Sequence, residues 1–279
     1  MSPIKRLLGA LTLVLASVSG MAVAAPPTAT PGVLRIALYR DFPPYSHDGG
    51  GSDAELGAAL AERLGLKVEL AWFKADDNMN DDLRNLVWKG HYLGPRVGDV
   101  MMHVPLDATL QKANPKVLIF GAYQREELAL ARKSELHGAE AGHPLAIFAK
   151  SDGERIGVEL HTLADGHLMQ ALGGRLRPQV MHFGNTAAAL AALRRGELGA
   201  VLAPRGQMQA ALSGDARFVI EAYRLPPPMV SSWLVGMAVK AEAESLRTAL
   251  EAALVSLEQD GSLARLLVRH GLAKSSTTP

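Results

Sequence analysis

The strongest constraint on the fold is a change of hydrophobic period between residues 53 and 72. Leu56, Leu60 and Leu64 recur every fourth residue, which puts them on one face of a helix that Asp53 can cap and Gly65 can stop. Directly afterwards Leu66, Val68, Leu70 and Trp72 alternate with polar or small residues, the period of a half-buried strand. A short apolar strand, Val33 to Leu38, precedes the helix. Strand, helix and strand in that order form a βαβ unit with a parallel sheet, so this part of the chain is α/β.

The same alternation continues. A second helix is predicted near Asp81 to Lys89 and a further strand at Asp99 to His103. A new series opens with a strand at Ile156 to Leu160, where Thr162 and Asp165 have the spacing of a capping box. A strand at Gln179 to Phe183 follows, then an alanine-rich helix from the cap residue Asn185 to Gly196, then a strand at Gly199 to Ala203. Pro226, Pro227 and Pro228 interrupt the chain before a strand at Trp233 to Val239. Leu246, Leu250, Ala253, Leu254 and Leu257 then mark a long amphipathic helix, and a last helix spans Ser262 to His270. Residues 274–279 carry no apolar period and are predicted to fray.

The N-terminus points to export. Lys5 and Arg6 precede an apolar run from Leu7 to Ala16, and small residues end in Ala22, Val23 and Ala24, which is the form of a cleavable signal peptide over residues 1–24. A membrane anchor fits less well, because Ser17, Ser19 and Gly20 break the run short of the roughly 20 apolar residues a span needs. The chain has no cysteine, which excludes disulfides, zinc thiolates and thiol nucleophiles. Lys and Arg total 29 against 28 Asp and Glu, and a net charge of +1 argues against nucleic acid as a partner.

Three motifs in the right order extend this reading. They are Leu34 to Tyr45 ending in Phe42-Pro43-Pro44-Tyr45, then Gly51-Ser52-Asp53-Ala54-Glu55-Leu56 with Leu64-Gly65, and finally Asp260-Gly261-Ser262-Leu263. Together they resemble the extracellular solute-binding proteins of the polar amino-acid type, which deliver ligands to ABC importers, although Ser52 stands where that family has Phe. The resemblance implies a two-lobed α/β periplasmic binding protein fold of type II. Residues 33–127 and 228–273 would form one lobe and residues 128–227 the other, with hinge crossings near Tyr123 to Ala131 and Met229 to Val235. A monomeric periplasmic protein without a cofactor is implied, its ligand a small molecule and its partner an ABC permease of the inner membrane.

Two departures bear on the ligand. The Arg that the family places after the strand at Val100 to Val104 is missing from Pro105-Leu106-Asp107-Ala108-Thr109-Leu110. The acidic residue expected after the next lobe's strand is replaced in Val201-Leu202-Ala203-Pro204. A small polar or organic-acid solute is therefore expected, and a standard α-amino acid is not. Gly98-Asp99-Val100-Met101-Met102-His103-Val104-Pro105 is instead similar to a branch associated with quinoprotein alcohol dehydrogenases, which makes a periplasmic quinoprotein dehydrogenase the alternative partner.

Site candidates follow from strand ends, where open α/β sheets bind ligands. Tyr39, Asp41, Phe42 and Tyr45 occupy the loop after the first strand, where the aromatic rings either stack on a ligand or pack the loop onto its lobe. His103 ends the strand at Asp99 to His103, and Val104 and Asp107 follow it. His161 and Thr162 open a helix whose free amides suit an anion, and Asn185 opens the next. His103 and His161 are placed across the cleft by the resemblance, yet neither has a partner at metal-ligand spacing, so no metal site is expected. The run Asp76-Asp77-Asn78-Met79-Asn80-Asp81-Asp82 is favoured as a solvated helix start over a cation site, because it lacks the spacing of a calcium loop. Residues 90–97 form an insertion relative to the family, from which His91, Tyr92 and Arg96 could reach the cleft rim or a partner. No nucleophile elbow, phosphate loop or His-Glu-x-x-His is present. The resemblance leaves a cleft enzyme such as a dehydratase as a further alternative, with Glu55 or Asp107 as imaginable acidic groups, but nothing around either residue assigns it a role, so no enzyme is expected.

Overall fold

In the computed structural model, residues 25–76, 78–91, 94, 96–137, 143–149 and 154–272 are described. The predicted signal peptide and the predicted frayed tail, together with Asp77 and Tyr92, lie outside these residues. Among the described residues no helix is long and apolar enough to cross a membrane.

The first strand, β1 (Val33–Tyr39), runs into a small hairpin of β2 (Asp41–Phe42) and β3 (Ser46–His47), followed by α1 (Ser52–Arg63) and β4 (Lys67–Phe73). β4 lies parallel to β1 with Val33 opposite Lys67, which completes the βαβ unit. The period-four leucines of α1 turn inward, and Leu56 and Leu60 are buried. Asp53 is not the cap. Gly51 holds that position at φ 115°, where a Cβ would lie 2.3 Å from the Tyr45 carbonyl oxygen, and Asp53 stands inside the first turn. The predicted second helix is a short α2 (Met79–Leu83) continued by a π-helical turn, Arg84–Trp88, and capped by Asn78. β5 (Val100–Pro105) then joins β1 in parallel, and α3 (Ala108–Ala113) follows.

The element that organises the molecule is β6 (Val117–Lys133), a 17-residue strand. Gln124, Arg125, Glu126 and Glu127 interrupt its apolar pattern, so it carries no clean strand signal in the sequence. Beyond it come β7 (Ile156–Glu159), α4 (Leu163–Leu168), β8 (Val180–Phe183), α5 (Thr186–Arg194), β9 (Ala200–Pro204), α6 (Arg205–Leu212) and β10 (Phe218–Ala222). The chain returns through β11 (Ser232–Lys240) to α7 (Glu244–Gln259) and α8 (Ser262–Arg269). β6 pairs with β11 from Val117 to Glu127, then changes partner and pairs with β9 and β10 from Leu128 to Lys133. One strand therefore serves both halves, in the order β4-β1-β5-β11-β6 on one side and β6-β9-β7-β8 on the other.

Each half has its own apolar core. In the first, Leu246, Leu250, Ala253, Leu254 and Leu257 of α7 pack with Leu34, Ile36, Met237 and Val239. Burying each leucine contributes roughly 1.5–3 kcal/mol, more than helix propensity supplies. In the second, Ile156, Val158, Ala200 and Leu202 pack under α4, while Leu190, Leu193 and Met208 pack on the opposite face of the sheet. Trp233 packs against the cores of both halves where the chain returns.

Candidate functional site

Where the halves meet, a buried polar cluster forms. Its base is Asp53, 1% exposed, whose two carboxylate oxygens face the His103 Nδ1 at 3.0 Å and the Tyr123 hydroxyl at 2.9 Å. The hydroxyl donates to Asp53 and accepts the His103 backbone N–H at 3.0 Å. His103 has φ 60°, unusual for a residue with a side chain, and these bonds hold it there. Its ring lies 4.2 Å from that of Tyr45 and 4.8 Å from that of Phe42 between centroids, the latter edge to face. Tyr45 is wholly buried and donates its hydroxyl to Glu126 Oε1 at 2.7 Å. On the other side of Glu126 stands Gly206 of α6, whose N–H points at Oε2 from 3.4 Å. A carboxyl on the strand shared by both halves thus touches a loop of the first half and a helix of the second.

Burial dominates the proton affinities here. It pushes the Glu126 carboxyl above the ordinary glutamate range, while Tyr45, Gln124 and Gly206 bond the charged form and oppose the shift. Burial, reinforced by neighbouring carboxylates, also raises the Tyr45 and Tyr123 hydroxyls well above the ordinary tyrosine value, so both remain neutral donors.

A second candidate region is a cavity of about 900 Å³ beside α4 and the returning segment. His143, His161, Thr162, His167 and Arg224 give it a polar wall, and Leu225 and Met229 belong to an apolar one. Arg224 has no hydrogen-bond or ion-pair partner among the described residues. His167 faces the Tyr223 hydroxyl at 2.8 Å, and burial followed by His143 lowers its proton affinity, leaving it a neutral imidazole. Burial raises the Tyr223 hydroxyl to about 12.

The remaining sequence candidates are dispersed. Tyr39 turns away from the cluster and donates to Asp82 at 2.7 Å. Asp41 is exposed in the β2–β3 hairpin, and Val104 is core. Asp107 caps α3 through the Leu110 N–H at 2.7 Å, and Asn185 caps α5 through that of Ala188 at 2.8 Å. Thr162 accepts the Asp165 N–H at 3.2 Å, as a capping residue should, and Asp165 accepts the His161 N–H at 3.0 Å. His161 repeats the positive φ of His103, at 65°, but lines the α4 cavity, whereas His103 sits in the polar cluster. Glu55 is held below the ordinary glutamate range chiefly by its bond to Arg269. The acidic run before α2 is less solvated than its composition implies: Asp82 is buried and accepts the Asp76 N–H, and burial raises its carboxyl. Among the described residues no group of three or more potential ligands could hold a metal. Of the residues 90–97, His91 lines a cavity near Trp72, and Arg96 pairs with Glu69 at 3.5 Å. Asp53, Tyr123, Gln124, Glu126 and Arg224 escaped sequence reasoning. The one sequence signal that could have singled out Gln124 and Glu126 is the charged interruption of the apolar pattern of β6.

No family model and no curated protein matches the chain. Solved structures do. An ancestral cationic amino acid solute-binding protein superposes with a TM-score of 0.64 at 21% identity, covering 85% of this chain and 95% of its own. An amino acid ABC transporter substrate-binding protein from Streptococcus pneumoniae, bound to L-arginine, gives 0.62 at 18% identity over 86% and 94%. A second structure of the ancestral protein, described as a precursor of cyclohexadienyl dehydratase, gives 0.60 at 21% identity over 85% and 95%. The chain thus has the two-lobed type II fold of the solute-binding proteins, its lobes joined by the paired strands β6 and β11.

Proposed function

We propose that this chain is a periplasmic solute-binding protein that captures a small organic anion for an ABC importer, and is not an enzyme. The observation that carries this reading is the α4 cavity at the edge of the second lobe. It joins a guanidinium without a partner among the described residues to an apolar wall beside the segment that returns to the first lobe. Arg224 matches a carboxylate by charge and fork geometry, and Leu225 and Met229 suit a short hydrocarbon body. A ligand that also touched the first lobe would favour the closed arrangement and shift the population toward it. In this reading residues 33–127 and 228–273 move against residues 128–227, and residues 1–24 direct export.

Thermal-shift measurements with small mono- and dicarboxylates test the proposal, since a ligand at 100 times its Kd adds about 2.7 kcal/mol. An Arg224→Gln variant is expected to bind such acids about tenfold or more weakly with its own melting temperature unchanged. A panel that shifts nothing refutes the reading. A quinoprotein dehydrogenase as partner predicts the opposite pattern, with co-purification of a quinoprotein or cytochrome and no shift by solutes.

A further inference from the structure

The wall of the α4 cavity holds a donor that a single carboxylate on Arg224 leaves unused. His167 is 6% exposed and lines this cavity of about 900 Å³. Its Nε2 lies 2.8 Å from the hydroxyl of Tyr223, which is 4% exposed and has no other hydrogen-bond partner among the described residues. Burial keeps that phenol protonated, so its O–H needs an acceptor, and Nε2 is the one in reach among the described residues. A neutral imidazole that accepts at Nε2 carries its proton on Nδ1. Nδ1 bonds no described residue and is not one of the sealed polar atoms that lack a partner, so its N–H opens onto the cavity. The charged groups around it have one sign. His143, His161 and Arg224 line the same cavity, and no Asp or Glu lines it among the described residues. His161 is held at φ 65° with its N–H donated to Asp165, and its ring bonds no described residue. An ammonium or an apolar tail would leave a largely buried N–H unsatisfied here, whereas an anionic oxygen would accept it.

Building on the organic-anion reading of the same cavity, we propose that its ligand is a dicarboxylate, with one carboxylate on Arg224 and the second accepting the Nδ1–H of His167. His167 is then the specificity-determining residue, and Tyr223 is a positioning residue that fixes its tautomer. The groups facing the imidazole are His143 and His161 across the cavity, Tyr223 and Arg224 from the returning segment, and Asp165 on α4 itself, whose carboxylate is bonded to the His161 N–H and to His182. Burial, followed by His143, keeps His167 neutral in the free protein. A carboxylate brought against the ring reverses that balance, because an opposite charge favours the protonated form. Binding therefore takes up a proton, and affinity rises as pH falls through the histidine range.

The test is calorimetry with succinate, glutarate and adipate, each beside the monocarboxylate and the ω-amino acid of the same chain length. The best dicarboxylate is expected to bind about tenfold or more tightly than its monocarboxylate, with affinity rising as pH falls from about 8 to about 6, and the ω-amino acids no better than the monocarboxylates. His167→Phe removes the donor without changing the charge of the free site. It is expected to cost about tenfold for the dicarboxylate, to leave the monocarboxylate within about threefold and to flatten the pH dependence. Tyr223→Phe releases the tautomer and is expected to cost about threefold for the dicarboxylate alone, a selectivity that a merely structural role would not produce. Equal binding of dicarboxylate and monocarboxylate, or a dicarboxylate preference undiminished in His167→Phe, would overturn the proposal while leaving the organic-anion reading in place, provided Arg224→Gln weakens both acids. Binding of no acid at any chain length overturns both. Should His167→Phe fail to fold, the contrast among the three ligand classes and its pH dependence in the wild-type protein still decide.

Discussion

Replacing Asp53 by alanine separates two roles by magnitude. A helix cap is worth about 1 kcal/mol, and that is the loss expected if Asp53 merely started α1. In the fold its carboxylate is 1% exposed and holds the His103 ring nitrogen at 3.0 Å and the Tyr123 hydroxyl at 2.9 Å. Each bond to a charged buried acceptor contributes about 1.5–3 kcal/mol, part of which is offset by no longer desolvating the carboxylate. Breaking such a buried pair from one side costs about 3–5 kcal/mol, so the expected loss for Asp53→Ala lies in that range. In a chain of this size that lowers Tm by roughly 6–20 °C. Urea unfolding followed by the fluorescence of Trp72, Trp88 and Trp233 measures it, with an unchanged m-value showing that the native state keeps its compactness. Asp53→Asn retains an acceptor for Tyr123 but turns away from His103, and is expected to lose about half as much. A loss near 1 kcal/mol for Asp53→Ala would refute the buried-acceptor role and return the residue to helix capping.

Tyr45→Phe removes the hydroxyl bonded to Glu126 at 2.7 Å and should cost about 1.5–3 kcal/mol in urea unfolding. Gly206→Ala places a Cβ 2.3 Å from the Tyr45 hydroxyl and 2.8 Å from Glu126 Oε1. It should destabilise by about 1–3 kcal/mol and enlarge the radius of gyration seen by small-angle scattering as the lobes are forced apart. Because the folded state keeps the Glu126 proton to higher pH than the unfolded chain, that contribution is complete below about pH 4.3 and is lost as pH rises through the raised folded value. Glu126→Gln is therefore expected to flatten the decline in urea midpoint above that pH. Asn185→Ala, which removes the cap of α5, should cost about 1 kcal/mol and leave ligand binding unchanged, measured by denaturation and calorimetry together.

Local periodicity was enough to read most elements. The leucines of α1 and α7 repeat with the period of one helical face because that face must be buried, and the alternation of residues 66–72 marks β4 for the same reason. Thr162 and Asn185 were legible as caps because capping is a contact between residues three apart. Asp53 was misread on the same logic: its carboxylate reaches His103, 50 residues away, instead of its own helix. β6 escaped because its middle bears charged and amide side chains, tolerable inside a strand only where two lobes bring partners to them. What the order of residues determined by itself is the α/β succession, set by the burial of one face at a time. Which polar groups end up sharing one desolvated space depends on contacts across dozens to scores of residues, and the tertiary fold alone decided that Tyr45, Glu126 and Gly206 would meet.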